Sequence, residues 1–91
     1  MPKFLVERHI PGADTLTQEE LRDISAKSNS VVDVLGVPYV WHRTYAAGDK
    51  LYCIHEADSA DAIYEHAKTG GFPADLVVEI KNIFGPETAT T

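Results

Sequence analysis

Two short patterns in this chain have residue types that could do chemistry. Cys53-x-His55 sets a thiol and an imidazole two residues apart, and Glu7-x-His9 repeats the spacing with a carboxylate and an imidazole. On a strand, residues two apart point the same way and lie about 6.6–7 Å apart. Thiolate and imidazole are ligands that zinc, nickel and copper accept, so each pair could contribute to a metal site. Plainer readings stand beside this one. A lone cysteine in a strand most often packs as a small hydrophobe. Glu7 sits mid-strand between Val6 and Arg8 and needs a partner, for which Arg43 is available. His42 is expected to be solvated. His66, late in a helix, is expected to meet the negative end of the helix dipole, which favours the imidazolium. Tyr39, Trp41, Tyr45 and Tyr52 could form a platform for a substrate, or pack in a core or dimer interface.

Several other chemistries fail on inventory. The chain has one cysteine and therefore no CxxC redox or iron–sulfur motif. Gly70-Gly71 closes a helix rather than opening one, so it is not a phosphate loop. No His-Glu-x-x-His pattern is present. Cys53 and His55, two apart on one strand face, are too far from each other for a nucleophile–base hydrogen bond.

The elements that must position these residues follow from local pattern. Residues 3–9 read as a strand stopped by Pro11-Gly12. Thr17 and Glu20 form a capping box ahead of an apolar stripe through Leu21, Ile24, Ser28, Val31 or Val32, and Leu35, which predicts a helix over 17–35. Ser28-Asn29-Ser30 is poor helix material, where a kink or weakening is expected. Residues 37–46 and 50–57 read as two strands joined at Ala47-Gly48-Asp49. A second helix runs over 59–69 to Gly70-Gly71, and a last strand over 76–84. Residues 1–84 then make a single domain, and 85–91 a flexible tail.

The order βαββαβ predicts an α+β, ferredoxin-like sandwich: a four-stranded antiparallel sheet with both helices on one face. Strand parity assigns Phe4, Val6, Val40, Thr44, Tyr52, Ile54, Val78 and Ile80 to the covered face. The open face then carries Glu7, His9, Trp41, Arg43, Cys53 and His55. Since the first and third strands are neighbours in this fold, Glu7, His9, Cys53 and His55 would share one face as a metal site, with nickel, zinc or copper as the ion. Aromatic surface on an open sheet face also predicts a homodimer packed through that face, in the manner of a dimeric α/β barrel. Shifting the parity of the second strand would exchange Trp41 for His42.

Composition bounds the partners. Ninety-one residues make one domain, and 14 acidic against 8 basic residues leave a net charge of −6. The acidic balance argues against nucleic acid and against an anionic membrane surface. No apolar run approaches the ~20 residues of a transmembrane helix. The first residues lack a signal-peptide core, and a single cysteine fits a reducing compartment, so a cytoplasmic setting is expected.

The runs FLVERHIPGADTLTQEEL, VPYVWHRTY, KLYCIHEA and AIYEHAKTGGFPAD together resemble the small bacterial nickel-responsive protein family, over roughly residues 3–84. The resemblance implies a ferredoxin-like fold, a homodimer built on the sheet face, and nickel binding in some members. It brings no ligand set and no reaction, so Glu7, His9, Cys53 and His55 remain the residues' own candidates. Three readings stand: a nickel-binding protein for sequestration or homeostasis, a small-molecule-binding module or small enzyme using a sheet-face pocket, and a structural dimer without chemistry. Enzymatic activity is the less expected outcome.

Overall fold

Lys3–His9 forms the first strand, β1, and its burial alternates residue by residue in the computed structural model, which describes residues 1–91. A 3-10 turn at Ala13–Thr15 leads to helix α1, Gln18–Val34. Thr17 caps α1 with the expected reciprocal box: its hydroxyl accepts from the Glu20 N–H, and the Glu20 carboxylate accepts from the Thr17 N–H. The helix runs unbroken through Ser28-Asn29-Ser30. Ser30 returns its hydroxyl to the Ala26 carbonyl, and Ser28 is buried against the second helix.

Strands β2 (Tyr39–Ala47) and β3 (Lys50–Ala57) form a hairpin. Helix α2 spans Ala60–Gly70, and strand β4 spans Leu76–Ile80. The last strand is therefore shorter than the pattern over 76–84 suggested. The final residues, expected as a loose tail, form a 3-10 segment over Pro86–Thr90 that buries nothing. The sheet order is β2-β3-β1-β4 with every neighbouring pair antiparallel, so β1 and β3 are the central strands. This is the α+β ferredoxin-like arrangement. No helix is long and apolar enough to cross a membrane.

The faces of the sheet differ from those read off the sequence. In β1 the buried set is Phe4, Val6 and Arg8, as expected for the first two. In β3 it is Leu51, Cys53, His55 and Ala57, not Tyr52 and Ile54. Register fixes this, because Val6 lies opposite Cys53 and Phe4 opposite His55. In β2 a bulge between Trp41 and Arg43 takes His42 out of the ladder. Tyr39 and Trp41 therefore share the covered face with Thr44, and the parity changes midway along the strand. In β4, Val77 lies opposite the buried Val6, so Val78 and Ile80 turn to the open side.

The open face is thus more apolar, and the covered face more polar, than expected. Leu5, Tyr52, Ile54, Leu76 and Val78 look outward on the open side. Val78 is 45% exposed and Tyr45 58%. Beneath the helices, the apolar core of Phe4, Val6, Leu51 and Ile63 gives way at one end to a group of polar side chains.

Candidate functional site: a polar cavity beneath the first helix

Five elements bring this polar group together. Arg8 comes from β1, Tyr39, Trp41 and Thr44 from β2, Cys53 and His55 from β3, Ser28 from α1 and His66 from α2. Arg8, His55 and His66 are 3%, 1% and 1% exposed. Arg8, Trp41, Cys53, His55, Ser28 and His66 all line a cavity of about 150 Å³ between the sheet and α1, whose remaining wall is largely apolar.

The aromatic rings are tightly ordered. Tyr39 stacks on His66 with centroids 5.0 Å apart, and the His55 ring stands edge-on to both, at 5.4 Å and 5.1 Å. The Tyr39 hydroxyl lies 2.6 Å from His55 Nδ1, and the Ser28 hydroxyl 3.1 Å from His66 Nε2. Trp41 donates its indole N–H to Thr44 Oγ1 at 2.9 Å. Nδ1 of His66 is buried with no partner at all.

Burial sets the charges here. Desolvation is the main cause that pulls His55 down to about 3, and the neighbouring His66 and the Arg8 guanidinium add to it. Desolvation, reinforced by Arg8, lowers His66 to about 4, against a smaller opposing hydrogen bond that the ring donates to the Ser28 backbone. Both imidazoles are neutral at physiological pH. The expectation that His66 carries a charge favoured by the helix dipole is corrected, because the ring lies under the helix instead of at its solvated end. Burial likewise raises the Tyr39 phenol, so it remains protonated.

Arg8 is the one permanent charge in the cavity wall. It donates to the Pro73 carbonyl and lies over the Phe72 ring, 5.4 Å from its centroid. No carboxylate stands within ion-pair distance of it: the three ion pairs of the chain are His42–Glu56, Lys50–Glu7 and Lys81–Glu79. Phe72 is held over Arg8 and His66 by the end of α2. Gly71 ends the helix in the left-handed region at φ 69°, and Phe72 folds back across Gly70.

The metal candidates separate. Cys53 and His55 lie in the cavity wall, whereas Glu7 and His9 belong to the opposite face of the sheet. Glu7 approaches Lys50 at 3.9 Å instead of Arg43. His42 is exposed, as expected, and its Nε2 meets Glu56 at 2.7 Å. No group of three or more His, Cys, Asp or Glu side chains is placed to hold an ion. The donors of this chain do not fit a resident nickel ion as they stand, and the Arg8 charge next to Cys53, His55 and His66 opposes a cation there.

The sequence pattern of the nickel-responsive SCO4226-like proteins matches residues 4–80. The chain belongs to that family. A comparison with curated proteins found no match. Among solved structures, the chain is similar to SCO4226 from Streptomyces coelicolor A3(2), with 19% identity, a TM-score of 0.74, and 90% of this chain and 99% of that one covered. At that identity the likeness supports the ferredoxin-like fold. The polar cavity was missed in the sequence. Nothing local to Arg8 or His66 in the sequence marks either as buried; the covered-face parity of Phe4 and Val6, extended by two residues, is the one signal that points to Arg8.

Proposed function

We propose that the protein serves the cell's response to nickel as a small cytoplasmic binding protein, with the cavity under α1 as its working part. One observation carries this. A chain of only 91 residues keeps a half-open cavity of about 150 Å³ and lines it with a guanidinium, two imidazoles, a thiol and hydroxyls. The guanidinium of Arg8 has no carboxylate partner within the chain, and small domains have little stability to spare for polar groups inside. A structural dimer would fill this volume with aliphatic side chains and leave no orphaned polar atom such as His66 Nδ1. The open face, with Leu76, Val78, Val40 and Tyr45 uncovered, supports a homodimer in which a second copy covers the sheet. The test is ligand-dependent thermal stability of the intact protein. A compound that occupies the cavity raises Tm and changes the fluorescence of Trp41, the chain's one tryptophan. A cavity that responds to nothing small enough to enter it sinks the reading.

A second reading takes nickel itself as cargo. It is favoured by Cys53, His55 and His66 lining one cavity, with both imidazoles unprotonated and so in the binding form, although these groups would have to move together to grip an ion. It requires His55 to turn away from Tyr39. Calorimetric titration of nickel into wild type and Cys53→Ser tests it, since loss of the thiolate should weaken uptake.

A further inference from the structure

We propose that the cavity is a binding site for a small hydrophobic carboxylate, whose anionic group pairs with Arg8 and whose apolar body fills the space between Trp41, Phe72 and the underside of α1. The inference rests on the cavity being a ligand site, and it names the class of ligand.

The charge argument comes first. Arg8 is 3% exposed, its one hydrogen bond goes to the Pro73 carbonyl, and no carboxylate is paired with it. A guanidinium has five N–H donors in a flat fork that matches a carboxylate. Here one protein acceptor, the Pro73 carbonyl, meets that fork, and no other nitrogen of it is a sealed, unpartnered atom. Its other neighbours are the Phe72 ring face and neutral side chains, and neither offsets a full charge. The site is therefore short of one negative charge.

The second argument is polarity. His66 Nδ1, also in the wall, has no partner. When Ser28 donates its hydroxyl hydrogen to Nε2, the imidazole carries its hydrogen on Nδ1 as a donor for an oxygen. In that tautomer both unmet groups ask for an acceptor.

The third argument is size and lining. A cavity of about 150 Å³ matches engineered apolar cavities that take a benzene ring. Leu16, Leu21, Ile24 and Leu51 supply aliphatic wall, and Trp41 and Phe72 supply flat aromatic wall. A phosphate or a dicarboxylate would leave that wall against charge. A single carboxylate on an aromatic or branched body satisfies both halves of the site.

Benzoate and benzamide, equal in shape and different in charge, are the probes. Wild-type protein is titrated with each while Trp41 emission and Tm are followed. Benzoate should bind about ten- to a hundredfold more tightly than benzamide. In Arg8→Gln the preference should vanish through loss of benzoate affinity, with benzamide little changed. Equal binding of the two probes by wild type would overturn the carboxylate assignment and leave the cavity reading intact. Failure of both to bind up to about 10 mM would overturn both. If Arg8→Gln does not fold, the wild-type comparison alone decides. An unchanged benzoate preference in a folded Arg8→Gln protein would equally overturn the role of Arg8.

Discussion

The hydroxyl of Tyr39 sits 2.6 Å from Nδ1 of His55, and the same tyrosine ring stacks on His66. One residue of the edge strand thus organises both buried imidazoles. A tyrosine so placed gives His55 a neutral partner in a site where its charged form has none, since burial, His66 and the cation Arg8 all disfavour it. Neutral histidines are therefore part of the folded state, and acid acts on them through the unfolded chain.

Stability should fall as pH drops below about 6.5, the pKa of an unperturbed histidine. The unfolded chain takes up protons at His55 and His66 there, while the folded chain holds them at about 3 and about 4. Folded values below the unfolded ones mean stability present above pH ~6.5 and lost progressively down to about pH 4 for His66 and about pH 3 for His55. Each histidine contributes at most about 1.4 kcal/mol per pH unit in that window. Urea unfolding at pH 7.5, 6 and 5 reads this directly. His66→Gln, which keeps a polar group near Ser28, should flatten the profile.

Removing the Tyr39 hydroxyl isolates the pairing. Tyr39→Phe keeps the ring stack on His66 and strips His55 Nδ1 of its partner. An unsatisfied buried group costs about 1–3 kcal/mol, so the variant should lose that much in denaturant unfolding. Wild-type stability would show that the hydrogen bond is replaced by water entering the cavity.

Gly70→Ala offers a test in which two effects oppose. In a helix, alanine is favoured over glycine by about 1 kcal/mol. At Gly70 the added Cβ would stand 2.5 Å from the Phe72 ring, which cannot stay where it is. Overpacking costs about 1–3 kcal/mol, so destabilisation wins. The displaced Phe72 also uncovers Arg8 and His66, so Trp41 emission should shift along with the fall in Tm.

The capping box at Thr17, the helix stop at Gly71 and the βαββαβ order were legible because each depends on a few adjacent residues. The faces of the sheet were less so. Parity is a one-residue choice, and Tyr52 and Ile54 look more like core than Cys53 and His55 do. His55 is accepted inside because Tyr39 and His66 meet it there, from elements distant in sequence. The bulge at His42 reverses parity within β2, and no local residue type announces it. The unpaired Arg8 was invisible for the same reason, since an absent partner can be seen only when the whole surroundings are assembled.

Dimer formation should depend on the open face of the edge strands β2 and β4, and not on Trp41. The exposed apolar side chains of that face include Val40, Leu76 and Val78, with Tyr45 beside them. Val78→Glu combined with Leu76→Lys should shift sedimentation to that of a monomer while keeping the circular dichroism of the fold. Trp41→Ala, which removes a cavity wall, should lower stability and leave the dimer assembled. A monomeric wild type at micromolar concentration would rule the interface out.

Nickel uptake should divide along the two faces of the sheet. Glu7 and His9 lie on one side of β1, and Cys53 and His55 on the other side of the adjoining strand β3, so the pairs cannot grip one ion within a chain. If the cavity takes nickel as cargo, Cys53→Ser with His55→Ala should abolish the tight phase of a calorimetric titration, and Glu7→Gln with His9→Ala should leave it in place. Combining all four changes should then add nothing beyond about 0.5 kcal/mol, the tolerance expected for independent sites. A large coupling between the pairs would mean that they meet across two chains, with the β1 face of one copy reaching donors of another. Equilibrium dialysis at protein concentrations above and below dimer dissociation separates that arrangement, because a shared site loses its metal on dilution and a cavity site within one chain does not.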